Sequence, residues 1–225
     1  MTCSEGFLMA VEEKVLEQKQ LVDGMVDSLA VKGAKALEEF RSFSQEMIDE
    51  VVKEMAHVAL KNHMPLAKMA VEETKRGVYE DKIFKNMFAT EFIYNHIRHL
   101  KTVGVINENV HQGTVEIAEP VGVIAALVPV TNPTSTVIFK SMIAIKTRNP
   151  IIFAFHPLAQ KCSSETARLM REAAIKAGAP KNCIQWIEIP TLDAIQTLMK
   201  HPKTSLILAT VSMSPFSASM KTASR

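Results

Sequence analysis

The stretch VGVIAALVPVTNPTS (residues 121–135) decides how the rest of the chain is read. Residues 121–128 form a short apolar run rich in β-branched residues, which reads as a strand covered on both faces. Polarity returns at Thr131, and Asn132 followed by Pro133 signals a helix start, with Asn as N-cap and proline in the first helical position. The predicted helix buries Ile138, Met142 and Ile145 and stops before Asn149-Pro150. Three more apolar runs repeat the pattern: IIFAF (151–155), CIQWI (183–187) and SLILA (205–209). Between them lie a helix that buries Ala167, Met170, Ala174 and Ala177, closed by Gly178 and barred from continuing by Pro180, and a shorter one. The shorter helix starts near Thr191, lines up Leu192, Ile195 and Met199, and stops at His201-Pro202. Strands alternating with helices predict an α/β fold built on a parallel sheet.

Upstream, residues 1–101 read as a helical region, with apolar spacing at Leu8, Val11 and Val15 and again at Met47, Val51, Met55 and Val58. Ser44 is a candidate N-cap. Pro65 is placed to open a helix that Gly77 would close. The next helix, from about Asp81 to His99, carries Phe84, Phe88, Phe92 and Tyr94 on two sides, which predicts that it is sandwiched. Residues 102–119 alternate with period two around a polar centre, Val103 and Val105 before it and Val115 and Ile117 after it, and read as a β-hairpin. Residues 120–210 form the sheet-bearing part. The last fifteen residues, 211–225, hold five serines, no acidic residue and no periodicity, so they read as an aberrant tail in which the strand-helix rhythm is interrupted.

The 26 basic and 24 acidic residues give a net charge of +2 and are interspersed, so nothing points to nucleic acid. No apolar run reaches the roughly 18 residues needed to span a bilayer. Acidic groups throughout the first thirty residues are unlike a leader sequence, which makes a cytoplasmic location the expectation. Three cysteines fit neither a disulfide framework nor a zinc module and read as reduced thiols.

In an open parallel sheet, ligands bind beyond the carboxyl ends of the strands. Pro129 to Pro133, His156-Pro157 and Ala209-Thr210 occupy that edge. His156 closes a strand and opens a helix, where it can meet a ribose or phosphate or simply cap the helix. Asn132 can likewise cap its helix or donate to an oxyanion. No GxGxxG or GxxxxGK loop is present, so these positions give a binding edge without a ligand. Cys162 falls in the first turn of a helix, where a thiol can be activated, yet Lys161 and Ser163 suggest an exposed turn with no base nearby. Cys183 reads as a small buried apolar group, and Cys3 lies near the terminus. His96 and His99, three apart, and His57 and His63 lack the partners of a metal site. The thirteen methionines read as core filler.

The motifs EPVGVIAALVPVTNPTS (119–135), FKSMIAIKTRNPIIFAFHP (139–157), AGAPKNCIQWIE (177–188) and HPKTSLILAT (201–210), with PLAKMAVEETKRGVYEDKIFKN (65–86) upstream, resemble the aldehyde dehydrogenase superfamily. The resemblance is strongest to the CoA-acylating branch, in particular the aldehyde dehydrogenase half of bifunctional aldehyde-alcohol dehydrogenases. It implies an aldehyde-dehydrogenase-like fold, with N-terminal helices followed by an incomplete Rossmann-like parallel sheet. It also implies NAD as cofactor, CoA and a small aldehyde as substrates, acetyl-CoA and NADH as products, and a homo-oligomer or co-assembly with intact subunits. His156 before Pro157, where hydrolytic members have a lysine, is similar to the acylating branch. By the same resemblance, Pro129, Thr131 and Asn132 line the nicotinamide side, with Asn132 holding the oxyanion. His156 and Pro157 meet the adenosine ribose, Gly178, Ala179 and Pro180 lie near the adenine, and Thr210 leads into the loop under the pyrophosphate. None of the three cysteines matches the family's nucleophile. The chain therefore reads as truncated before it and inactive alone, with a frameshift as the suggested origin of 211–225. The alternatives are a non-catalytic dinucleotide-binding or assembly module and a thiol enzyme using Cys162. An exposed sheet edge predicts poor solubility.

Overall fold

The computed structural model describes the backbone of residues 3–210 and the side chains of residues 17 and 19–210. The apolar spacing at Leu8, Val11 and Val15, the Cys3 thiol and the segment 211–225 lie outside the described side chains or residues.

The sheet contains four parallel strands, β3 (Val123–Val128), β4 (Ile151–Phe155), β5 (Ile184–Trp186) and β6 (Thr204–Ala209), in the order β5-β4-β3-β6. Each corresponds to one of the four apolar runs. β3 and β4 are buried along their whole length, which explains why they read as continuous apolar runs rather than alternating ones. The pleat divides their side chains between two cores. Ile124, Ala126, Val128, Ile151, Phe153 and Phe155 face α2 (Gln45–Thr74), α5 (Pro133–Lys146) and α6 (Gln160–Lys176). Val123, Ala125, Leu127, Ile152 and Ala154 face α1 (Cys3–Phe40) and α7 (Leu192–Lys200).

The helix ends follow the chemistry of their residues. Ser44 caps α2, its hydroxyl accepting from the Met47 amide at 3.3 Å, and Thr191 caps α7 through the Ala194 amide at 3.1 Å. α6 closes as expected at Gly178, whose φ of 102° suits only glycine. The Ala179 amide returns to the Ala174 carbonyl at 2.9 Å and the Gly178 amide to Ile175 at 3.0 Å.

Three expectations need correction. Pro65 does not open a helix but lies inside α2, which ends at Thr74 before reaching Gly77. A mid-helix proline costs about 3 kcal/mol, and the burial of Ala59, Leu66, Ala67 and Ala70 on either side of it offsets that cost. Lys75, in the left-handed region at φ 53°, then caps α2 by donating to Val71.

The aromatic helix runs as α3 (Tyr79–Met87), one wide π turn (Phe88–Phe92) and α4 (Ile93–Ile97), and it is not sandwiched. Phe84, Phe88 and Phe92, four residues apart, are each more than half exposed, and the last two stack with ring centroids 5.3 Å apart. Periodicity reveals an apolar stripe but not what covers it. The third correction is Leu192, which is exposed, while Ala194 and Leu198 join Ile195 and Met199 on the buried side of α7.

The hairpin is present as β1 (Gly104–Asn109) antiparallel to β2 (Thr114–Ala118), with an irregular register between Val105 and Asn107. Val105, Val115 and Ile117 point their apolar groups to solvent. Thr102 anchors the base of the hairpin, its hydroxyl donating to the Lys146 carbonyl at 2.6 Å.

Candidate functional site

From β3 the chain steps to β4 and then β5 on one side, while β6 pairs with β3 on the other. The carboxyl ends of β3 and β6 therefore flank the point where strand order reverses, the place at which such sheets open a ligand crevice. Pro129 to Asn132 leave β3 here and Thr210 leaves β6, its amide donating to the Leu127 carbonyl at 3.3 Å. Asn132 and Thr210 share a cleft of about 580 Å³ whose apolar wall includes Phe84, Phe88, Ile93 and Phe139. A smaller hollow of about 230 Å³ on the other side of Thr131 and Asn132 is lined by Arg76, Lys82 and Lys85 with Asp81.

Asn132 stands at the N-cap position of α5, but its side chain makes no capping bond. Its Oδ1 is buried without a hydrogen-bond partner, although buried carboxamides are ordinarily satisfied. The backbone carbonyl of Asn132 still accepts from the Thr136 amide at 3.2 Å, so the helix is regular while its first amides stay free of any side-chain cap.

The turn ahead of this helix is clamped from α3. Lys82, almost fully buried, donates from Nζ to the Thr131 carbonyl at 2.6 Å. Burial, followed by the nearby Lys85 charge, pulls the Lys82 pKa down. Asn86 is also buried. It donates to the His63 carbonyl at 2.9 Å and accepts from the Thr134 hydroxyl at 2.8 Å, tying α2, α3 and α5 together at the site. Beneath the crevice, buried Lys140 joins the two flanking strands, donating to the Leu127 carbonyl at 2.7 Å and the Leu208 carbonyl at 2.6 Å. Its burial lowers its pKa to about 8.

At the end of β4, His156 does act as a cap. Its Nδ1 accepts from the Leu158 amide at 3.1 Å at the head of the 3₁₀ turn Pro157–Ala159. Accepting at Nδ1 places the ring proton on Nε2, which remains the group with which the ring can donate to a ligand. Burial first, and then the Arg76 charge, lower the His156 pKa, so the ring is neutral at physiological pH. The helix that follows, α6, receives the carboxylate of Glu73 from α2: Oε1 accepts from the Lys161 amide at 2.8 Å and Oε2 from the Cys162 amide at 2.7 Å.

Asn132, Thr131, Pro129, His156, Pro157 and Thr210 thus all gather at the carboxyl edge. Gly178, Ala179 and Pro180 do not. They close the far end of the 17-residue α6, about 25 Å along the helix, at the amino edge of the sheet. The segment after β5 that does reach the carboxyl edge is 187–190, fixed by Gln160 Nε2 donating to the Ile187 and Glu188 carbonyls at 3.1 and 3.0 Å.

The exposed turn expected around Cys162 is also corrected. Cys162 is fully buried, its Sγ lies 3.5 Å from the Ala159 carbonyl, and burial followed by Glu73 raises its pKa far beyond the range of a nucleophile. Cys183 is buried as expected, and burial pushes its pKa up to about 12. Among the described residues no cluster of three His, Cys, Asp or Glu side chains can hold a metal, and no helix is long and apolar enough to cross a membrane.

The aldehyde dehydrogenase family model matches residues 10–225, a range that takes in the segment 211–225. The chain belongs to the aldehyde dehydrogenase family. It is 53% identical over 196 residues to aldehyde-alcohol dehydrogenase 2 of Entamoeba histolytica, covering 86% of this chain and 22% of that protein. It therefore spans about a fifth of the length of that relative. Among solved structures, an acetylating aldehyde dehydrogenase from Geobacillus thermoglucosidasius superposes with a TM-score of 0.87 at 44% identity, covering 90% of this chain and 45% of that one. A propionaldehyde dehydrogenase from Rhodopseudomonas palustris, solved with bound CoA, gives 0.76 at 30% identity over 88% of this chain and 45% of that one. These matches agree with the α/β fold of helices over a parallel sheet.

Proposed function

We propose that the chain forms the dinucleotide-binding part of an NAD-dependent, CoA-acylating acetaldehyde dehydrogenase and that it does not turn over by itself. The observation that carries this reading is the unemployed carboxamide of Asn132. It sits at an uncapped helix start, in one cleft with Thr210, at the reversal of strand order. The orphaned Oδ1, an acceptor, fits a ligand that offers a hydrogen-bond donor, and the free helix amides beside it fit an anionic portion; a dinucleotide offers both. Bound NAD supplies a hydride acceptor. The role of this chain's residues is to bind and orient: Asn132 donates to the developing oxyanion of the aldehyde carbon, Lys82 and Asn86 fix the turn that presents it, and His156 donates from Nε2 to a ribose hydroxyl. The apolar wall of Phe84, Phe88 and Phe139 excludes water from the aldehyde side.

Thiohemiacetal formation needs a thiolate, and neither Cys162 nor Cys183 can furnish one while buried with a raised pKa. Calorimetric titration of the chain with NAD is expected to saturate, and absence of saturable binding would overturn the cofactor assignment. In an NADH-release assay with acetaldehyde and CoA the chain alone is expected to show no turnover. Turnover abolished by Cys162→Ala would reverse this conclusion.

A second reading, a non-catalytic assembly module, draws support from the apolar residues Val105, Val115 and Ile117 that the hairpin exposes. Light scattering after size-exclusion chromatography tests it. Self-association of the full chain favours it, and a stable monomer removes it.

A further inference from the structure

In dinucleotide-binding sheets, the ribose of the adenosine lies at the carboxyl end of the second strand. An acidic side chain there accepts from its 2′-hydroxyl, whereas an arginine in its place admits a 2′-phosphate. The second strand here is β4, and the residues that follow it, 156–161, are His-Pro-Leu-Ala-Gln-Lys with no acidic group among them. Arg76 is near enough to His156 to lower its pKa. On that strand alone the site would welcome a second phosphate.

The missing carboxylate arrives from elsewhere. Glu73, near the C-terminal end of α2, reaches across to α6 and holds both the Lys161 and Cys162 amides, at 2.8 and 2.7 Å. Its position is not incidental, because its neighbour Ala70 is packed with Ala159 and Cys162 in one small buried cluster, which fixes the end of α2 on the start of α6. The positive end of α6, the one nearest the end of β4, thus already holds an anion, and that anion belongs to the protein.

We infer that Glu73 is the residue that makes the site select NAD over NADP, by occupying the α6 N-terminus with a carboxylate so that a 2′-phosphate finds neither free amides nor a favourable charge. The inference rests on the dinucleotide reading above. It names a specificity-determining residue 88 positions away from the helix start it controls. Like-charge apposition disfavours the 2′-phosphate, and the solvent around the helix end screens it, so the expected discrimination is about tenfold, or about 1.4 kcal/mol.

The test measures the dissociation constants of NAD and NADP for the full chain and for Glu73→Gln and Glu73→Asp by calorimetry, with thermal melts to establish that each variant is folded. The wild-type chain is expected to bind NADP about tenfold more weakly than NAD. Glu73→Gln, which keeps one acceptor for the helix amides but no charge, is expected to bring the two within about threefold by strengthening NADP. Glu73→Asp is expected to retain the preference for NAD. A wild-type chain that binds both equally overturns the inference without recourse to any variant. So does a folded Glu73→Gln variant with an unchanged ratio. A wild-type chain that binds neither overturns the dinucleotide reading itself, and the inference falls with it.

Discussion

Three helices begin at the carboxyl edge of the sheet, and they begin differently. α6 is capped by a carboxylate from another helix, α7 by its own Thr191, and α5 by no side chain at all, although Asn132 is in the capping position. All three have first-turn amides without intrahelical partners, fewer at α5 because Pro133 has no N–H. A side chain satisfies two of them at α6 and one at α7. At α5 no side chain does so, and the helix starts beside a cleft, with a buried carboxamide oxygen that also lacks a partner. The proposed ligand would complete the one helix start of the three that no side chain closes.

The largest effect is expected beneath the open end. Lys140→Met would remove the buried donor that the Leu127 and Leu208 carbonyls share, leaving Leu127 only the longer bond from the Thr210 amide, and should lower stability by about 2–3 kcal/mol in denaturant unfolding. Lys140 also gives a pH signature. Its folded pKa of about 8 lies below that of the unfolded chain, so the folded state binds fewer protons between about 8 and 10.5. Its contribution is full above that window and is lost as pH falls through about 8. The melting temperature of the wild-type chain relative to Lys140→Met should therefore rise with pH across the window. A flat difference would contradict a buried, depressed lysine. The two buried cysteines pull in the opposite direction at high pH but do so equally in both proteins.

At the α6 start, Glu73→Ala should cost about 1–2 kcal/mol, since it removes a charged cap from two amides. Thr191→Ala should cost about 1 kcal/mol at the start of α7. Asn132→Ala should cost less than about 0.5 kcal/mol, because the side chain makes no bond to lose. A loss at Asn132 as large as that at Thr191 would show that Asn132 is an ordinary cap after all, and the contrast among the three helices would disappear.

Much of this architecture is legible in the residues. β3 and β4 are covered on both faces, so their apolar runs are unambiguous, and Ser44, Thr191 and Gly178 mark helix ends through chemistry that acts over three or four positions. The failures share a cause in distance. Pro65 reads as a helix start because local preference favours proline there, yet the helix passes through it on the strength of packing against α5 and α6. Cys162 reads as exposed beside Lys161, although its burial is decided by Ala70 and Glu73, almost ninety residues upstream. Lys82 and Asn86 gave no signal, because a lysine and an asparagine on a helix normally face water and only the fold turns them toward the Thr131 turn. Gly178 to Pro180 were assigned by likeness to the ligand edge, and the direction of α6 carries them to the opposite one.

The strand order has a consequence for the chain as it is made. β3 is complete at Val128, but the strand that protects one of its two flanks is finished only at Ala209. Until then a growing chain offers the backbone of VIAALV, a six-residue segment without charge or proline, as an open template for any neighbouring extended strand. Synthesis of the closing strand is therefore a race against self-adhesion, and delay between these two segments would divert chains into aggregates before the pocket exists.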